Sequence, residues 1–198
     1  MARTIAKDYD KKCGEILRIA AQVFANEGFD RASMSQLATA CGISKANIYH
    51  YYSGKDALLF DILDTYLSAL RDRVCGVDLA GLEPDMQLHA VILETLIAYQ
   101  GADNEHRIQI RRFGIMADNE QKILRTYQRD LITLFSDIIR AAAPETFAKD
   151  AGKLRATTMS VFGMLNWYYM WSPGAGRSAR EDYARLVTDM TLKGITGL

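Results

Sequence analysis

Proline, cysteine and long apolar runs are all scarce in this chain of 198 residues. The three prolines, Pro84, Pro144 and Pro173, fall between periodic segments, where Pro belongs when the rest is helix. The three cysteines, Cys13, Cys41 and Cys75, are an odd number without C-x-x-C spacing, which argues against a disulfide framework or a cysteine-built zinc site. The longest apolar stretch, Met159 to Trp171, is far shorter than the roughly 20 residues a spanning helix needs, so no membrane partner is expected. Met1 to Asp8 lacks the apolar region of a secretory signal, and a reduced, cytoplasmic protein is expected. Charge of one sign is missing too: 24 Lys and Arg balance 24 Asp and Glu. A polybasic tail that coats nucleic acid by bulk charge is thereby excluded, and any nucleic-acid contact must come from a local arrangement. With 49% apolar and 24% charged residues, the composition is that of a globular protein rather than a disordered one.

Helical periodicity is what the sequence has. No segment alternates as a strand does, and there is no internal repeat, so the chain reads as all-α with about nine helices. The first, about Asp10 to Glu27, carries Ile16, Ala20, Val23 and Phe24 on one stripe, and Gly28 follows as a stop. Ser33-Met34-Ser35-Gln36 is an S-x-x-Q capping box that opens a short second helix with Leu37 and Ala38 inward. Cys41-Gly42 ends it, and Ser44 caps a third helix from Lys45 to about Tyr51. After Gly54 a long fourth helix shows a continuous apolar face from Leu59 to Val74. Further helices are expected over about 85–101, 104–116, 119–142, 146–172 and 178–196. The first sixty residues hold a slight excess of basic over acidic side chains, and the remainder the reverse.

The segment Ser33 to Lys55 reads short helix, glycine turn, short helix. That is the outline of a helix-turn-helix, whose second helix enters the major groove. With Leu37, Ala38, Ile43 and Ile48 turned toward the first helix, Lys45, Ala46, Asn47, Tyr49, His50 and Tyr51 remain outside. Asn pairs bidentately with adenine, Lys donates to guanine O6 and N7, and Ala46 suits a thymine methyl. Ser33, Ser44, Tyr49 and Lys55 suit phosphates, since hydroxyls, an ammonium and helix N-termini all donate hydrogen bonds. The same outline also describes any two short helices that meet at a glycine.

Ile16-Leu17-Arg18-Ile19-Ala20-Ala21-Gln22-Val23-Phe24-Ala25-Asn26-Glu27-Gly28-Phe29-Asp30, then Ser33-Met34, then Cys41 through Tyr52, and Lys55-Asp56-Ala57-Leu58-Leu59 together closely resemble the N-terminal domain of the TetR/AcrR transcriptional regulators. The resemblance implies an all-helical homodimer with a three-helix DNA-binding head over 1–55 and a ligand-binding and dimerisation domain over 56–198. It implies a repressor on a pseudo-palindromic double-stranded operator, released by a small hydrophobic effector. By position it assigns the DNA contacts to Ser33, Ser35, Ser44, Lys45, Ala46, Asn47, Tyr49, His50, Tyr51 and Lys55. One departure is Tyr52, where Phe is commoner; its hydroxyl needs a partner.

In the second half, Met159 to Trp171 is apolar nearly all round, so it is buried on more than one side. One side then faces its own core. The other faces either a partner subunit, through Phe162, Tyr169, Tyr183, Leu186, Val187 and Met190, or more of the core of a monomer. The same segment offers Met164, Asn166, Trp167, Tyr168 and Trp171 as pocket lining, although aromatic and Met residues at helical spacing also describe plain core. Arg107 and Arg111, i and i+4, suit a carboxylate or phosphate, or are neutralised by Glu105 and Asp118 on a solvated face. The run Asn166-Trp167-x-x-x-Trp171-x-Pro173-x-x-x-Arg177 resembles TetR-family regulators of fatty-acid, sterol and phenylacetate catabolism, which implies an acyl-CoA thioester as effector.

Two recognition helices of a dimer should engage half-sites roughly 34–36 Å apart. The fourth helix, with Lys55 at its start and Leu70 and Val74 at its far end, is the expected lever between effector and operator. The alternatives are a helical-bundle enzyme and a protein–protein adaptor without specific DNA binding. Neither a cofactor nor a metal is expected: His50, His89 and His106 lack the Glu-x-x-His spacing of carboxylate bundles, and no nucleophile elbow, P-loop or dinucleotide fingerprint occurs.

Overall fold

Local capping sets most of the helix boundaries. The computed structural model describes residues 2–112, 114 and 116–197, and among them there are ten helices and no strand. They are α1 (Ala2–Glu27), α2 (Met34–Ala40), α3 (Lys45–Tyr51), α4 (Lys55–Cys75), α5 (Pro84–Ala98), α6 (Asp103–Arg112), α7 (Asp118–Ala142), α8 (Pro144–Phe147), α9 (Ala151–Trp171) and α10 (Arg177–Gly197). The helix expected over 146–172 is two, because the Asp150 carboxylate caps a new helix by accepting from Lys153 N at 2.8 Å. The stretch expected as helix over 104–116 ends at Arg112; residues 113 and 115 lie outside the described residues.

The chain divides into two compact units, Met1–Tyr66 with Asn104–Leu124, and Leu67–Asp103 with Arg125–Leu198. Most of α6 falls in the unit of the N-terminal helices. In the first unit, Ile16, Ala20 and Phe24 of α1 meet Leu37 and Ala38 of α2, Ile48 of α3 and Leu58, Ile62 and Leu63 of α4 in a buried core. Ala21 completes the α1 stripe, and Val23 is half-buried. The capping box is formed: Gln36 N donates to Ser33 Oγ at 3.2 Å and Ser33 N to Gln36 Oε1 at 3.0 Å. Gly42 takes φ +64°, and Ile43 N turns back to Ala38 O at 3.0 Å. Ser44 then caps α3 by accepting from Asn47 N at 3.1 Å. Tyr52 is buried, and its hydroxyl finds a hydrogen-bond partner in the Asp61 carboxyl.

In the second unit, α5 packs along α10, and α9 packs against both. Phe135 of α7 meets Phe162 of α9 with ring centroids 4.8 Å apart. Arg180 of α10 is buried. Its guanidinium donates to Leu96 O in the last turn of α5 at 2.8 Å and to Ala175 O at 3.1 Å, and lies over the Tyr168 ring. A cation at a helix C-terminus satisfies orphan carbonyls and opposes the negative end of the dipole.

Two consequences can be measured. A Cβ at Gly42 meets no atom within 4 Å, so Gly42→Ala carries only the conformational cost of a positive φ, about 1–2 kcal/mol. Thermal melts should show Tm lower by about 2–8 °C, at roughly 2–4 °C per kcal/mol for a chain of this size. Burial holds the Asp61 carboxyl above its ordinary value of 3.8, outweighing the Tyr52 hydrogen bond, which lowers it. The native state then binds this proton more tightly than the unfolded chain, so the group's contribution falls as pH rises from 3.8 through the raised value. Asp61→Asn removes that loss while keeping an acceptor for Tyr52. Its Tm relative to the parent should climb with pH over that window, and melts on either side of 3.8 check it.

Candidate nucleic-acid interface and effector residues

From Arg31 to Lys55 the sequence contains no Asp or Glu, so the helix-turn-helix segment itself brings donors and a few cations and no carboxylate of its own. Ile48 is fully buried and fixes the rotation of α3. With that side inward, Lys45, Ala46, Asn47, Tyr49 and His50 are all exposed, as are Ser33, Ser35 and Ser44 at the helix starts. Tyr49 keeps 48% of its surface. The exposed row is thus one face of a helix locked at its start by Ser44 and at its end by Tyr52 N donating to Ile48 O at 3.0 Å. Tyr51, expected outside, is half-buried: its ring stacks on Tyr9 of α1 at 5.1 Å and meets His50 edge-on. It braces α3 against α1.

Lys55, at the first position of α4, does more than face outward. Its Nζ donates to Phe29 O at 2.7 Å and to Asp30 O at 3.3 Å, and sits 4.8 Å from the centroid of the Phe29 ring. Two of the ammonium's three N–H groups serve the turn between α1 and α2, which leaves one for another acceptor. Arg112 of α6 lies over the same ring at 5.1 Å, and Phe24 meets it edge-on at 5.1 Å. The Arg112 guanidinium also donates to the Asp30 carboxylate, which holds that carboxyl below its usual range. Arg112 stood in the sequence beside Arg107 and Arg111 as a candidate for an acidic effector, but nothing in the pattern placed it or Phe29 at the turn before α2. Arg at the end of a helix, followed in space by an aromatic from a distant turn, leaves no periodic signal.

The expected effector residues do not gather in one place. Arg107 and Arg111 belong to the first unit and line a cavity there with Phe24, Phe29 and Ile108. The others belong to the second unit. Tyr168 is buried in an aromatic stack, 4.5 Å from Tyr183. Asn166 accepts from the hydroxyl of Tyr99 at 2.7 Å, a half-buried contact that engages its carbonyl. Met164 lines an open groove of about 370 Å³ between α9 and α10, together with Met190. Trp167 and Trp171 are 56% and 57% exposed, on an outer face rather than in a cavity. Among residues expected at a subunit interface, Phe162 and Val187 are buried in their own chain, Phe162 against Phe135, so neither offers a surface. Tyr169 and Tyr183 are half-buried, and Leu186 and Met190 are exposed. Met159, Trp167 and Met170 of α9 share that exposure. No described helix is long and apolar enough to cross a membrane.

Comparison with known proteins gives this arrangement a lineage. The family model described as bacterial regulatory proteins, tetR family, matches residues 16–62, and the model described as tetracyclin repressor-like, C-terminal domain, matches residues 81–195. The HTH-type transcriptional repressor KstR2 of Rhodococcus jostii is 29% identical over 104 residues, 51% of this chain and 50% of that protein, so the match spans about half the repressor's length. The crystal structure of a TetR-family transcriptional regulator from Bordetella parapertussis superposes with TM-score 0.84 at 28% identity, covering 94% of this chain and 96% of the other. AibR, solved in complex with isovaleryl coenzyme A and operator DNA, shares the fold with TM-score 0.76 at 21% identity, covering 90% of this chain and 97% of its own. With one family model on the helix-turn-helix and another across more than half of the sequence, this chain belongs to the TetR family of transcriptional regulators, a family of DNA-binding proteins rather than enzymes.

Proposed function

We propose that the protein is a homodimeric repressor that reads a pseudo-palindromic operator through α3 and is released by an acyl-CoA thioester. The observation that carries the DNA half is the acid-free row Lys45, Ala46, Asn47, Tyr49 and His50, exposed on a helix that Ile48 and two capping contacts hold rigid. A preformed helix of this size fits the major groove, where Asn and Lys discriminate bases. Ser33, Ser35, Ser44 and the remaining N–H of Lys55 serve phosphates, which set register without reading sequence.

Dimerisation is supported by the outer face of α9 and α10. Met159, Trp167, Met170, Trp171, Leu186 and Met190 leave large apolar surface uncovered on two helices that pack on one another, and uncovered apolar surface of this extent supports an interaction site. A two-fold axis lets the same patch cover itself. The effector class is supported by AibR, a relative by fold that carries isovaleryl coenzyme A. Release requires the effector to prefer a state that mismatches the operator, since equal affinity for both states shifts nothing. The chain link for it is α4, which starts in the first unit and ends in the second.

With an operator fragment selected from random duplexes, Asn47→Ala should cost about 1–3 kcal/mol at particular base pairs. Lys55→Ala should weaken binding to all sequences and reduce the salt slope by about one. Band-shift titrations at several salt concentrations separate the two, and salt-independent or absent duplex binding by the parent would refute the DNA assignment. The double variant Trp167→Glu, Leu186→Glu places charge on two exposed positions. It should be a monomer by light scattering where the parent is a dimer.

A further inference from the structure

Two guanidinium groups of the first unit have a largely apolar cavity beside them and no ion pair among the described residues. On α6, Arg112 pairs with Asp30, whereas Arg107 and Arg111, one turn apart, have no hydrogen-bond or ion-pair partner among the described residues. Asp103 and Glu105 on the same helix, and Asp118 at the start of α7, form no described ion pair with either. All three arginines line a cavity of about 200 Å³ together with Phe24, Phe29 and Ile108. Arg107 is half-buried, so its charge is partly desolvated and gains more from an anion than a surface arginine does.

We propose that this cavity binds a small organic acid, its carboxylate on Arg107 and Arg111 and its hydrocarbon part against Phe24, Phe29 and Ile108. The proposal rests on the protein being an effector-responsive regulator. Size limits the occupant. About seven waters at roughly 30 Å³ each fill the space, whereas drug-sized ligands take about 300–1,000 Å³. A coenzyme A nucleotide does not fit; a six-carbon or single-ring acid does. The walls choose the headgroup. A planar fork matches either carboxylate or phosphate, but a bare phosphate needs donors on all sides, and the side chains of Phe24, Ala25, Phe29 and Ile108 in this lining supply none. The location gives the site a means of acting: Phe29 and Arg112 line the cavity and also hold Lys55 and Asp30, on the turn that leads into α2.

Calorimetric titration of the full chain tests this, with hexanoate and benzoate as probes and hexan-1-ol and inorganic phosphate as controls. At least one acid should bind, and Arg107→Gln and Arg111→Gln should each weaken it by about tenfold. Hexan-1-ol should bind at least as much more weakly, and phosphate should not compete. Circular dichroism establishes that the variants are folded; should Arg107→Gln fail there, Arg111→Gln at its exposed position decides alone. The proposal is overturned if neither acid binds, if the alcohol matches the acid, if phosphate displaces it, or if the folded arginine variants bind as the parent does. Operator binding measured without acid is a separate reading. Its absence refutes the regulator assignment and leaves the titration standing, and a failed titration leaves operator binding intact.

Discussion

Phe29 is a side chain on a turn, yet three helices of the first unit are tied through it. The ammonium of Lys55 covers one part of its ring, the guanidinium of Arg112 another, and Phe24 meets it edge-on. Each cation–π contact contributes about 0.5–1 kcal/mol at an exposed site and more when desolvated. The charge-assisted bonds from Lys55 to the carbonyls of residues 29 and 30 add about 1.5–3 kcal/mol apiece. What these contacts fix is direction. The chain leaves α1 through Gly28, whose φ of +90° turns it sharply, and reaches the Ser33 cap only five residues later. Within the turn Ala32 N donates to Gly28 O and Arg31 Nε to Glu27 O, and the contacts from α4 and α6 add to these in setting where α2 starts. The recognition surface inherits that rigidity through the Gly42 turn.

The head was legible in the sequence because its signals are local. A capping box spans four residues, a glycine turn one, and the inward positions Leu37, Ala38 and Ile48 follow from spacing alone. The exposed set on α3 was the complement of those positions. Tyr51 departed from it because its partner, Tyr9, lies more than forty residues away. Lys55 was expected free for phosphate, and its carbonyl partners are similarly remote in sequence. Distance along the chain removes such contacts from any periodic pattern.

Between residues 159 and 171 the sequence was least informative. A helix apolar on every side does not say which side belongs to its own core. The structure divides it: Val161, Phe162, Leu165 and Tyr168 turn inward, while Met159, Trp167, Met170 and Trp171 turn out. Phe162 and Trp167 consequently exchange the surroundings that pattern suggested for them. Polar side chains inside this unit are matched to one another. Tyr99 bonds Asn166, Ser136 bonds Thr158, and Arg180 serves the carbonyls of Leu96 and Ala175. Buried polar groups are costly unless satisfied in this way, and once satisfied they specify a single packing. Arg180 in particular joins α10 to the end of α5 and to the Tyr168 ring, a role that its position on a sparsely apolar helix did not advertise.

The chain has two tryptophans, and both stand on the uncovered side of α9. Indole emission moves to shorter wavelength when water is excluded from the ring. Indole emission, excited at wavelengths the ten tyrosines do not absorb, therefore originates on this side of α9, and its colour records whether that surface is wet or dry. A dilution series needs no label: the molecule is its own probe of whatever comes to lie against these two rings.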